Sequence, residues 1–234
     1  VRDAGQKVAS LADDVAAIEG LESVGAVSTV LDLDPEDVGT FLGSPAQLVT
    51  ESVFPVANYG SNVTPFYTNL ALWVGGFVLV AIYKLEVDDE GVSDFKPWQG
   101  FFGRWLLLNL IGQLQAIICC VGDLCLGIQC VSPMAFVFAG MVESFVYVFF
   151  IYALSVAFKH IGKALGVLLV VLQIPGASGL YPIEMQPEFF QALKPWLPFT
   201  YGINAMRESI AGFYGCYYAQ NLGMLLVFLI PALL

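Results

Sequence analysis

Long apolar runs set apart by short polar stretches dominate the chain from Phe66 onward. The first, Phe66 to Tyr83, carries no charge and stops at Lys84. At about 1.5 Å per helical residue it is long enough to cross the hydrocarbon of a bilayer. A polar loop follows to Arg104. Trp105 to Leu124 forms the second run, Met134 to Phe158 the third, interrupted only by Glu143, and Ala164 to Leu180 the fourth, bent or ended near Pro175. The fifth begins between Phe213 and Leu222 and continues to Leu234. The predicted spans are residues 66–83, 105–124, 134–158, 164–180 and 213–234. Hydrocarbon leaves no backbone group unpaired, so the pattern predicts an all-α membrane protein, a polytopic bundle of about five transmembrane helices.

Two other regions carry different patterns. In residues 1–65, Val8, Leu11, Val15 and Ile18 recur at steps of three and four. That spacing fits the seam of a coiled-coil helix, and equally a surface helix of a soluble domain. Asp34-Pro35-Glu36-Asp37 reads as a turn and helix start, Pro45 and Pro55 as breaks, and Asn58-Tyr59-Gly60-Ser61 as a loop leading to the membrane. The chain thus divides into 1–65 and a transmembrane domain, 66–234. The segment from Tyr181 to Gln220 is too apolar for a plain loop. Pro187 suits a first helical turn, Phe189, Phe190 and Leu193 give an apolar side, and Pro195 stops the helix. Thr200 is placed to cap a second short helix whose Ile203, Met206 and Ile210 share a face. Two short re-entrant helices before the last span fit this pattern.

Composition agrees: 58% of residues are hydrophobic, 12% are charged, and the mean hydropathy is +0.76. The net charge of -11 comes mainly from acids before Phe66 and between Glu86 and Asp94, which excludes nucleic acid as a natural partner. Basic residues set orientation. Lys84, Lys96, Arg104, Lys159 and Lys163 fall at one end of alternating spans, Lys194 and Arg207 at the other. The first end should face the cytoplasm, with the C-terminus, and residues 1–65 should lie outside. Val1 is not an initiator Met and no signal peptide follows it, so we read the chain as an excerpt of a longer protein. The five cysteines lack metal-site spacing and read as small packing residues, with a Cys125–Cys130 disulfide as the alternative.

Candidate chemistry is sparse. On the second span Asn109, Gly112, Gln113, Ala116, Cys120 and Asp123 form a small and polar face, while Leu107, Leu114, Ile118 and Val121 lie elsewhere. Such a face packs on other helices or lines a path. Glu143 sits mid-span, where an ionised side chain costs about 2.5–3.5 kcal/mol. Tyr147, one turn on, is placed to donate to it, and the acid serves either substrate passage or structure. Gly162, Gly166 and Gln173 share a broad side of the fourth span and resemble a helix contact. Lys96, Trp98, Phe101, Phe102 and Arg104 read either as an interfacial anchor or as a docking element for a separate ATPase. No P-loop occurs, and with His160 the only histidine neither a zinc protease motif nor a Ser-His-Asp triad can be assembled. We expect no enzyme and no cofactor.

Several segments resemble the C-terminal membrane region of the YhgE/Pip (phage infection protein) family, within the type-2 ABC exporter superfamily. They are Phe54-Pro55-Val56-Ala57-Asn58-Tyr59-Gly60 with Pro65-Phe66-Tyr67, Phe102-Gly103-Arg104, Ile111-Gly112 to Gln115-Ala116, and Gly122-Asp123-Leu124. Gly162-Lys163-Ala164-Leu165 and much of Leu172 to Ile210 continue the likeness, which runs from Pro35 to Asn221. The resemblance implies a bacterial cell-membrane protein, with residues 1–65 ending an extracellular helical stalk. It implies an exporter permease that works with a separate ATPase as a homodimer, Lys84 to Arg104 contacting that ATPase. Pro187 to Ile210, with Phe189, Phe190, Ile203, Met206 and Arg207, would shape the outer gate. One departure is the run of acids from Glu86 to Asp94, unusual for such a docking loop. The other function class is a surface scaffold, a phage receptor or an accessory to protein secretion, anchored by its spans.

Overall fold

The computed structural model describes residues 54–85 and 96–233. The seam at Val8 to Ile18, the turn at Asp34 to Asp37 and the acidic run from Glu86 to Asp94 lie outside the described residues. Those that are described form helices α1 (Tyr59–Ile82), α2 (Pro97–Cys125), α3 (Pro133–Phe158) and α4 (His160–Gly176), a single turn at Ile183–Met185, and α5 (Glu188–Leu193). A second turn at Lys194–Trp196 leads into α6 (Pro198–Ala211), α7 (Tyr217–Val227) and α8 (Leu229–Leu233). The protein is an all-α membrane protein. Three helices, α1 to α3, are long and apolar enough to cross a bilayer, and two shorter apolar stretches, His160–Gly176 and Tyr217–Leu233, accompany them.

Helix starts depart from the apolar runs because caps, not hydropathy, set them. α1 begins within the stretch expected to be a loop: the Asn58 side chain accepts from the Ser61 N–H at 2.8 Å and fixes the first turn. Pro65 then sits inside the helix. α2 starts at Pro97, so most of the expected loop before Arg104 is helical. Its Lys96 N–H donates to Gln99 Oε1 at 2.8 Å, and a proline at the first position suits a helix start. Thr200 does not cap α6. Leu197 holds the cap position, and the Thr200 hydroxyl donates to Lys194 O at 2.9 Å. α4 runs through Pro175 to Gly176, and all five cysteines are free thiols, Cys125 and Cys130 included.

α3 is the axis of the bundle, in contact with α1, α2, α4, α6, α7 and α8. Its buried residues point to every side, from Phe136 and Ala139 to Ile151 and Ser155. α2 packs on it through a row of small residues. Gly112 lies so close that an added Cβ would come within 2.9 Å of Val148 Cγ2, and its carbonyl accepts from the Ser144 hydroxyl at 2.9 Å. Trp73 on α1 ties three elements together. Its ring meets Tyr147 at 5.2 Å and Phe199 at 5.7 Å, and its N–H donates to Gly166 O at 3.2 Å.

The α6 segment is built into the bundle rather than laid over it, which covers its polar backbone with protein. Gln173 on α4 accepts the Phe199 N–H at 3.2 Å, so its side chain satisfies a first-turn donor that no helix can pair internally. Arg207 donates to the carbonyls of Ser178 and Gly179 at 3.1 and 2.9 Å, holding the end of α4 against α6. The Ser132 N–H reaches Ser209 O at 3.0 Å, which fastens the start of α3 to the end of α6.

Candidate functional site

Four side-chain positions from three helices meet at the middle of the bundle. Glu143 and Tyr147 lie one turn apart on α3, Asn69 faces them from α1, and Gly202 on α6 closes the cluster. Each of the three side chains has 0% exposure. Gly202 is required here: a Cβ would land on Asn69 Oδ1, 2.8 Å from Tyr147 Oη and 3.1 Å from Glu143 Cδ. The missing side chain is what lets α6 come down on the polar groups.

The hydrogen bonds differ from the expectation that Tyr147 donates to Glu143. The tyrosine hydroxyl instead donates to Asn69 Oδ1 at 2.6 Å. The cause lies on α1. Asn69 Nδ2 donates to Pro65 O at 2.8 Å and points toward Met206 Sδ at 3.6 Å, which turns its Oδ1 to the tyrosine. Glu143 faces the Asn69 amide closely enough to interact with it, but the contact falls short of good hydrogen-bond geometry at either carboxylate oxygen. A buried acid held so weakly is costly in a membrane. Asn69, Tyr147 and Gly202 therefore surround the acid, with Asn69 its nearest polar neighbour.

Other residues singled out in the sequence lie elsewhere. Gln113 donates to Met141 O at 3.0 Å and to Asn109 Oδ1 at 3.4 Å, joining α2 to α3. Asp123 accepts from the Thr68 hydroxyl at 2.6 Å, beside a cleft of about 320 Å³ between α1 and α2. Gln173 serves α6, as described. Of the second-span face, Gly112, Ala116 and Cys120 are buried while Leu107, Leu114, Ile118 and Val121 are exposed, so the small residues mark a packing face. Ile203 and Met206 are buried on α6, whereas Phe189 on α5 is exposed.

At the end where Lys84, Lys96, Lys159 and Lys163 gather, the first turns of α2 sort their aromatics by depth. Trp98 is 58% exposed and Phe102 is exposed too, while Phe101 turns inward. Its ring lies 4.9 Å from Tyr152 on α3, and its carbonyl accepts from the Tyr152 hydroxyl at 3.1 Å.

Asn69 and Gly202 were not singled out in the sequence. Asn69 did carry a signal, as an amide inside an otherwise apolar run and one turn after Pro65. Gly202 carried none, because its meaning depends on what lies opposite.

Helices long and apolar enough to cross a bilayer, with a shorter helix inserted among them and an acid buried at their centre, define a multi-pass membrane domain. The chain belongs to the ABC-2 family of transporter proteins, whose profile matches residues 45–234. It is 29% identical over 198 residues to the uncharacterized protein YhgE of Bacillus subtilis (strain 168), an alignment that covers 84% of this chain and 25% of that protein. The chain thus spans about a quarter of the length of that relative. No solved structure matches it. The likeness to the YhgE/Pip group drawn from the sequence is borne out.

Proposed function

We propose that the chain is the membrane-embedded part of an exporter driven by a separate ATPase, with its lysine-rich end facing the cytoplasm and residues 1–65 outside. The observation that carries the reading is the path of contacts from the exposed aromatics of α2 to the helix that carries the buried acid. Trp98 and Phe102 are available to a partner at the lysine-rich end, and Phe101 abuts Tyr152 on the same helix as Glu143. A push on the start of α2 is thereby delivered to α3, the element every other span touches. Family membership supplies the ATPase as the natural source of force, and basic residues near the spans favour the cytoplasmic side. In this reading α6 is the outer gate, and its displacement from Gly202 opens Glu143 to the substrate path.

The test is co-purification of an ATPase with the full-length protein, followed by transport in vesicles. Trp98→Ala combined with Phe102→Ala should abolish ATPase capture. Phe101→Ala should retain capture but lower transport roughly tenfold, a loss of coupling of about 1.4 kcal/mol. If no ATPase co-purifies and both variants behave like the wild type, the spans act as an anchor.

A further inference from the structure

We infer that a pocket at the lysine-rich end holds a phosphate-bearing anion, the headgroup of an anionic phospholipid from the adjoining leaflet. The pocket has a volume of about 230 Å³ and is lined by Lys84, Ser155, Val156, Lys159, His160 and Lys163. No acidic residue lines it among the described residues. The inference rests on Lys159, Lys163 and Ser155, and three independent observations converge on it.

First, Ser155 is 1% exposed, and its hydroxyl has no hydrogen-bond partner. A buried hydroxyl left unpaired is uncommon, and a phosphate oxygen is an acceptor it lacks. Second, the pocket adjoins the start of α4. The chain reverses at Lys159 with a φ of 51°, and the first helical bond runs from Lys163 N–H to Lys159 O at 3.2 Å. The amides of residues 160–162 precede that bond and carry the positive end of the helix dipole, which favours an anion. Third, the rim is apolar and exposed. Phe158 and Ile161 beside the pocket are exposed, and Leu85 and Val156 give it apolar walls, so acyl chains have a surface to follow. A basic pocket between helices at the membrane surface suits an anionic headgroup.

The test is native mass spectrometry of the full chain in detergent with equal amounts of phosphatidylglycerol and phosphatidylcholine. Phosphatidylglycerol should be retained roughly tenfold more than phosphatidylcholine, and Lys159→Gln with Lys163→Gln should remove that preference. Ser155→Ala should reduce it roughly threefold. Lys159→Arg with Lys163→Arg, and Lys194→Gln at the opposite end, should leave it intact, which separates lost binding from lost folding. Equal retention of the two lipids by the wild type, or a preference that survives the double Gln change, overturns the inference. Displacement of all lipid preference by millimolar inorganic phosphate assigns the pocket to a soluble phosphate compound instead and overturns the lipid source.

Discussion

Two neighbouring spans, α2 and α3, are equally apolar to the eye yet are built on opposite plans. α2 buries Leu108, Gly112, Ala116 and Cys120, a single row at steps of four, and exposes Leu107, Leu110, Leu114 and Ile118. α3 buries residues on all sides and carries the only mid-span carboxylate among the described helices. In lipid, large apolar side chains lose little by facing hydrocarbon, and small residues let backbones approach, so small residues mark the contacts of a peripheral helix. A central helix is buried on most of its surface, with only Phe138 and residues near its two ends exposed, so its apolar residues give little direction. Polarity on α2 therefore ties it to its neighbours, whereas polarity on α3 is set among groups that other helices supply.

The largest expected effect comes from filling the space at the centre. Gly202→Val should destabilise the bundle by about 3 kcal/mol, the upper end of overpacking, and lower its melting temperature in detergent. An unchanged melting temperature would break the account of how α6 meets α3. Next is Tyr147→Phe, which leaves Asn69 Oδ1 buried without its donor and should cost about 1–2 kcal/mol in the same assay. Ser144→Ala, which removes the bond to Gly112 O at the α2–α3 contact, should cost about 0.6 kcal/mol. The smallest effect belongs to the exposed face of α2. Ile118→Ala should change stability by less than about 0.5 kcal/mol, and a cost as large as that of Tyr147→Phe would show that this face meets another protein surface. Glu143→Gln sharpens the comparison differently, since it keeps the side chain's shape and an oxygen facing Asn69 while removing the carboxyl group. Stability should hold while transport falls at least tenfold, and unaltered transport would remove Glu143 from the mechanism.

The fold class was legible because bilayer solvation imposes run length directly on composition. Glu143 was conspicuous for the same reason, as an acid where hydrocarbon tolerates few. Helix ends were less legible: Asn58 and Pro97 start helices inside polar stretches, by local hydrogen bonding and backbone geometry that hydropathy does not register. The functional pairing of Tyr147 was misread because the expectation considered α3 alone, and the competing acceptor, Asn69, arrives from a helix far away in sequence.

Taken alone, then, the sequence determined that these helices lie in a membrane, which segments are greasy enough to do so, and which end carries the lysines. Each of those follows from the transfer of single side chains between water, headgroups and hydrocarbon, and each residue contributes independently. Only the tertiary structure decided that Asn69, Glu143, Tyr147 and Gly202 share one buried site, that Gln173 holds the start of α6, and that Ser155 lies in a lysine-lined pocket. Those relations depend on pairs of groups brought together across helices, where hydrogen-bond geometry and the absence of a single Cβ decide what fits.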